Sequence, residues 1–154
     1  MLFIPYLTLN LLWYFCESLP LLKRFYLGLF SIYGIGFLGY IFVPAAGPYI
    51  AMTQEFHGAL TGGLFTRLNA AMVSFGSNHV DVFPSLHCAI STYMLLFDRW
   101  YKRWRFRIYA VPCVGLWIST IYLRYHYLID VIVGFALAAF ALWFARTSQT
   151  EEAA

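Results

Sequence analysis

The chain has 154 residues, room for one domain, and is 62% hydrophobic, 21% aromatic and 11% charged, against about 25% charged in an average soluble domain. So few charges cannot cover a water-soluble surface of this size, which excludes a soluble globular enzyme, a disordered chain and a nucleic-acid-binding module and leaves an integral membrane protein with several spans. The net charge of +3 is small, so its placement carries more information than its size.

Five apolar stretches follow in chain order: Met1–Cys16, Phe25–Val43, Leu86–Tyr101, Ile108–Leu123 and Tyr127–Ala145. A helical span needs roughly 17–25 residues. The second and fifth fit, and aromatic and basic flanks extend the third and fourth into the interface. The first lacks a basic start and a small-residue cleavage site, so it reads as a first helix and not as a signal peptide. Gly28, Gly34, Gly36 and Gly39 predict close helix packing along the second span. Cys16, Cys88 and Cys113 are odd in number and widely spaced within apolar runs. They form no zinc or redox spacing and read as small core hydrophobes.

Between the second and third stretches lies Pro44–Phe83, opening on the non-helical segment Pro44-Ala-Ala-Gly-Pro48. Leu64, Phe65, Leu68, Ala71, Met72 and Phe75 then recur at helical spacing, with Arg67, Asn69 and Ser74 off that face. This predicts a short interfacial helix, either a packing lid or a substrate gate.

Charge placement orients the spans. Lys23 and Arg24 fall between the first two, Arg99, Lys102, Arg103, Arg105 and Arg107 between the third and fourth, and Arg146 after the fifth. Alternating topology puts all eight on one side, which the positive-inside rule makes cytoplasmic, as an orientation signal and an anionic-lipid contact. Arg67, Arg124, His57, His79, His87, His126, Glu55, Asp81 and Asp130 then collect on or near the outer side, so chemistry is expected there. His57 and His79 read as loop histidines.

Two constellations place polar groups at that face. In Asp81-Val-Phe-Pro84-Ser85-Leu86-His87, Pro84 suits a first helical turn, whose exposed N–H groups can hold an anion, with His87 just inside. In Arg124-Tyr-His126-Tyr-Leu-Ile-Asp130, the histidine and aspartate share one face if both are helical. Asp130 lies within an apolar span, where an ionisable group is expensive and is read as functional with a named partner. That partner is His126, whose tautomer and basicity a carboxylate would set. Arg124 supplies a forked cation suited to phosphate.

From His87 the chain descends about 12 residues and returns through about 16, roughly 18 and 24 Å, so both constellations end at similar depth. A nucleophile, an acid/base and cationic groups together suit phosphoryl transfer through histidine. Other readings stand beside it. Either histidine can be a satisfied packing residue. His126 and Asp130 can be half of a metal site. Asp130 can cap its helix or pair with Arg124. No strand–turn–helix elbow surrounds Ser85, which argues against a serine nucleophile.

Pro84-Ser85-Leu86-His87 followed by His126-xxx-Asp130 after a helical hairpin resembles the type 2 phosphatidic acid phosphatase superfamily, membrane phosphatases and phosphotransferases of lipid phosphates. The resemblance covers roughly residues 42–140. The family's second motif, PSxH, is matched fully. Of its third, SRxxxxxHxxxD, Ser119, His126 and Asp130 match, and Thr120 stands where the arginine belongs. The first, KxxxxxxRP, is absent, and Pro44-Ala-Ala-Gly-Pro48 stands in its place. The resemblance implies His126 as the nucleophile forming a phosphohistidine, Asp130 orienting and charging it, and His87 protonating the leaving alcohol. Phosphate would be held by Arg124, Arg67, Ser85, Ser119 and backbone N–H groups. The departures, with Tyr125-His126-Tyr127, are closer to the branch containing inositol phosphorylceramide synthases, which move a phospho-headgroup to another alcohol.

The expectation is therefore one all-α membrane domain over 1–154, with about five spans and an interfacial helix. It would be an enzyme without metal or other cofactor, multi-pass in a plasma or inner membrane, with its site on the extracytoplasmic or lumenal face. Its partners would be a lipid phosphate and an alcohol acceptor, not nucleic acid. The alternatives are a non-catalytic membrane assembly protein on the same scaffold and a metal-dependent membrane hydrolase.

Overall fold

The computed structural model describes residues 3–52, 54–55, 63 and 82–148. Among them the chain forms six helices: α1 (Phe3–Glu17), α2 (Leu19–Phe42), α3 (Pro48–Ala51), α4 (Leu86–Tyr101), α5 (Arg103–Tyr122) and α6 (Leu128–Thr147). Each of the five apolar stretches is helical where described, apart from end residues Val43, Leu123 and Tyr127. Two helices, α2 with 24 residues and α6 with 20, are long and apolar enough to cross a membrane. By contrast α1 and α4, with 15 and 16 residues, fall short of the roughly 17–25 that a span needs. Three arginines crowd the start of α5. The interfacial helix predicted over Leu64–Phe75, Arg67 on it, and His57, His79 and Asp81 lie outside the described residues.

A cap, not the apolar run, decides where α2 begins. Ser18 accepts from the Leu21 N–H at 3.5 Å and Pro20 occupies the first turn of α2, where its missing N–H costs nothing. Lys23 and Arg24, predicted between spans, therefore stand on α2 itself. In the same way Lys102 alone separates α4 from α5. The basic residues predicted to fill a loop there sit instead at two helix ends.

The core is organised around α4, which is buried along nearly its whole length. Ala89, Ile90, Tyr93, Met94 and Phe97 pack among Phe25, Leu29 and Ile32 of α2 and Ala138, Ala141 and Leu142 of α6. Helix α2 approaches α4 through its glycines. A Cβ at Gly28 would lie 2.3 Å from the Tyr93 hydroxyl, and one at Gly36 would lie 2.3 Å from Leu86. The space a side chain would occupy holds the neighbouring helix, as in small-residue membrane interfaces. The Tyr93 hydroxyl uses this approach to donate to the Phe25 carbonyl at 3.0 Å. Gly34, predicted to belong to the same contact, faces open space. Cys88 and Cys113 are buried, whereas Cys16 is exposed.

Where α1, α4 and α5 meet, the core turns polar. Asp98, fully buried, accepts from the Tyr6 hydroxyl at 2.7 Å, from the Tyr14 hydroxyl, and from Arg105 through Nε at 3.1 Å and through Nη2. Arg105 Nη2 also donates to Asn10, whose amide donates to the Tyr6 carbonyl at 2.9 Å. The Tyr14 ring covers the guanidinium at 4.6 Å. Arg105 is 2% exposed, so it is not the surface charge predicted from its basic neighbours. Lys102 pairs with Glu17 of α1, tying the α4–α5 junction to the end of the first helix.

Candidate active site

The far end of α4 from Asp98 is built by Ser85. Its hydroxyl accepts from the Cys88 N–H at 3.4 Å and caps the helix. Ser85 is the cap because a hydroxyl can satisfy that amide and a proline ring cannot. Pro84 thus precedes the cap instead of entering the first turn, and His87, exposed, stands in that turn. The first amides of α4 have no intrahelical acceptor. The Ser85 N–H donates to the Asp130 carbonyl at 3.1 Å, which locks the start of α4 to the start of α6.

His126 comes from the connection between α5 and α6. The Thr120 carbonyl accepts from both the Tyr125 and His126 N–H groups, at 3.0 and 3.2 Å, folding this turn back onto the end of α5. Helix α6 begins only at Leu128, so His126 lies ahead of it and the four-residue helical pairing with Asp130 does not form as expected. Instead His126 Nδ1 lies 3.0 Å from the Val82 carbonyl and 3.8 Å from Asp130 Oδ2. A carbonyl only accepts, so Nδ1 carries the hydrogen and a neutral His126 keeps its lone pair on Nε2. Asp130 Oδ2 accepts from the Tyr127 N–H at 2.7 Å, capping α6 while facing the imidazole. His126 and Asp130 are 6% and 2% exposed.

The two histidines meet across the packed starts of α4 and α6. A Cβ at Gly134 would fall 2.7 Å from the Ser85 carbonyl, so only glycine lets α6 come this close to the cap. The rings of His87 and His126 lie 6.1 Å apart, centroid to centroid, at 57°. That is too far for stacking and near enough to flank one small group.

Arg124 sits in the same turn, half-buried, with φ of 62°. A non-glycine residue in this left-handed region is strained, by about 1–2 kcal/mol. The turn is braced by residues 47–49, where the Pro44–Pro48 segment runs into α3. The Tyr49 N–H donates to the Arg124 carbonyl at 3.0 Å, the Tyr49 and Tyr125 rings meet edge to face at 5.5 Å, and a Cβ at Gly47 would be 2.7 Å from the Tyr125 carbonyl. The uncharged segment standing where the first motif belongs is thus a backbone support for Arg124.

Of the other predicted residues, Ser119 donates its hydroxyl to the Leu116 carbonyl at 2.7 Å within its own helix. Thr120 is buried, with its hydroxyl on the Trp117 carbonyl at 2.8 Å and 3.8 Å from the Cys88 sulfur. Sequence reasoning missed Val82, Gly47, Tyr49 and the Thr120 carbonyl. All but the Tyr49 ring act through backbone, which leaves no side-chain signature. Among the described residues, no three His, Cys, Asp or Glu gather to hold a metal ion.

The profile of the PAP2 superfamily matches residues 1–144. A protein named phosphoinositol dihydroceramide synthase, from Bacteroides thetaiotaomicron, is 31% identical over 142 residues, covering 81% of this chain and 46% of that protein. The chain therefore spans about half the length of that curated relative. No solved structure gives a significant match. With a match running from the first residue through most of α6, and with His87, His126 and Asp130 gathered at one end of the bundle, the chain belongs to the PAP2 superfamily.

Proposed function

We propose that this chain is the catalytic core of a membrane enzyme that transfers the phospho-headgroup of a lipid to another alcohol, or to water, through a phosphohistidine at His126. The observation that carries the reading is the 6.1 Å pairing of His87 with a His126 whose Nδ1 is engaged by the Val82 carbonyl at 3.0 Å. That bond leaves Nε2 as the nucleophile. Nε2 attacks phosphorus and the bond to the leaving oxygen breaks. His87, on a different helix, delivers its proton to that oxygen. In the second half His87 takes the proton of an incoming alcohol or water, whose oxygen attacks phosphorus while the N–P bond breaks. The Asp130 carboxylate, 3.8 Å from Nδ1, stabilises the cationic imidazole during both halves.

The phosphate oxygens fall to Arg124 and to the first amides of α4. Arg124 takes the place of the arginine missing at Thr120. A strained backbone held by Tyr49 is consistent with a residue retained for its side chain. Ser85 and Ser119, whose hydroxyls bond within their own helices, act by holding those helices. Arg67 is assigned to the phosphate from sequence alone.

All five long helices are assigned to the membrane domain, with the site on the outer or lumenal face and the basic helix ends on the cytoplasmic face of a plasma or inner membrane. The relative's name points to a phosphoinositol donor and a ceramide-like acceptor. The test is to incubate purified full-length protein with a panel of lipid phosphates and inositol phospholipids, with and without a ceramide acceptor, in EDTA. Turnover with an acid-labile, base-stable phosphoprotein, and inhibition by vanadate, is the expected result. Loss of all activity in EDTA with recovery on adding zinc overturns the histidine mechanism in favour of a metal-dependent hydrolase.

A further inference from the structure

At the end of the bundle remote from His126, α4 and α6 leave an open groove of about 470 Å³ whose walls include Leu96, Trp100, Ala139, Leu142, Trp143 and Arg146. Its volume is within the range of about 300–1,000 Å³ typical of ligand pockets. Arg146 lies sixteen residues along α6 from Asp130, roughly 24 Å at 1.5 Å per residue, so the groove is separate from the histidine site.

Its chemistry is that of an amphiphile site. The side walls are aliphatic and indole, and Thr147 stands beside Arg146 at the polar end. Trp100 and Trp143 are 49% and 59% exposed, as befits indoles lying at headgroup depth. Among the described residues, the one charge on the walls is positive and no carboxylate lines the groove. The Arg146 guanidinium is held over the Trp100 ring at 4.1 Å and has no carboxylate partner among the described residues. Arg99, in the last turn of α4, adds a second exposed cation to the same end. An aliphatic trough ending in an arginine is complementary to one acyl chain and one phosphate.

We infer that this groove holds an anionic phospholipid of the leaflet opposite the active site, its acyl chain along Leu96, Ala139 and Leu142 and its phosphate at Arg146. A zwitterionic phospholipid presents the same chain, but its ammonium meets the field of Arg146 and Arg99 unfavourably. The site needs only a membrane around the bundle and stands whether or not His126 is a nucleophile.

Native mass spectrometry of the purified full chain, titrated with dioleoyl phosphatidylglycerol or dioleoyl phosphatidylcholine, tests it. The wild type is expected to retain phosphatidylglycerol at lower concentration than phosphatidylcholine. Arg146→Gln should weaken phosphatidylglycerol retention about fivefold, as expected for one basic residue at an anionic headgroup, and leave phosphatidylcholine unchanged. Arg146→Lys should keep most of the preference. Ala139→Trp, which fills the trough and leaves the charge, should reduce both lipids. Circular dichroism reports whether each variant keeps its helices, and Arg146→Lys with Ala139→Trp still decides the matter if Arg146→Gln does not fold. Equal retention of both lipids by the wild type, or retention unaffected by Arg146→Gln, overturns the inference. So does loss of the phosphatidylglycerol adduct on Arg124→Gln alone, which would place that lipid at the histidines.

Discussion

Asp98 and Asp130 are both buried carboxylates on apolar helices, 0% and 2% exposed, and their neighbours treat them differently. Asp98 accepts from two tyrosine hydroxyls and twice from Arg105, so its charge is matched on the spot and its lone pairs are used. Asp130 accepts one backbone N–H and faces an imidazole at 3.8 Å. Arg105 Nη1 keeps no hydrogen-bond partner beside Asp98, but the Asp98 carboxylate itself is saturated, and a saturated carboxylate has one arrangement and serves the fold. An unsaturated one keeps interaction energy available for a state that forms during reaction. The two carboxylates stand at opposite ends of α4, Asp98 near its last turn and Asp130 against its Ser85 cap.

The largest expected separation of the two clusters is in catalysis. His126→Ala should abolish turnover and the covalent intermediate together. His87→Ala should slow transfer from a lipid alkyl phosphate by roughly 10²–10⁴-fold, the worth of general-acid help. It should largely spare a nitrophenyl phosphate, whose leaving group needs no proton. Steady-state rates on the two substrates check this, and a phosphoprotein that survives His126→Ala but not His87→Ala would exchange their roles.

Next in size is the fold. Asp98→Ala leaves Arg105 buried without its partner and should cost about 3–5 kcal/mol, whereas removing both charges with Asp98→Leu and Arg105→Met should recover most of it. Thermal unfolding in detergent measures both. The folded fraction of either variant should keep its kcat, while His126→Ala should keep its Tm.

Asp98 also shows what was legible in the sequence. Apolar runs and hairpin arithmetic located five helices and brought His87 to His126, because those follow from helical rise and burial. Arg105 stood among Arg99, Lys102, Arg103 and Arg107 and looked like one more surface charge. The clue lay elsewhere, in an aspartate inside the third apolar run and Asn10 inside the first, both expensive there unless paired. Nothing of the kind marked Val82. Its contribution is a carbonyl, and every residue has one. Asp130 does face the His126 ring at 3.8 Å, but not from one helical turn away, for a related reason. Four-residue spacing implies proximity only inside a helix, and α6 starts two residues after His126.

That correction sharpens a smaller effect. Where a carboxylate sets the tautomer of a catalytic histidine, its amide replacement costs roughly 10⁴-fold. Here Val82 sets it, so Asp130→Asn should cost clearly less and leave the tautomer alone. Nitrogen NMR of labelled histidine should find hydrogen on Nδ1 of His126 in both proteins; a switch to Nε2 in the variant would return the orienting role to Asp130.

Smallest in energy is Arg124→Gly. Glycine relieves the left-handed strain, so Tm should rise by the equivalent of about 1 kcal/mol while turnover falls. Arg124→Lys should also lose turnover, keeping charge without the fork. A gain in Tm with full activity would remove Arg124 from the phosphate.

His87 is exposed and His126 is buried, and in the proposed reaction this difference in depth orders the chemistry in time. The phosphorylated side chain is the inner one, and the alcohol released in the first half departs past the outer one. The acceptor of the second half must arrive by that same opening. Departing alcohol and incoming acceptor therefore compete for one phosphorylated form of the enzyme, and water enters on equal terms with both. Whether such a chain behaves as a hydrolase or a transferase is then decided by how long the opening stays occupied between the two halves.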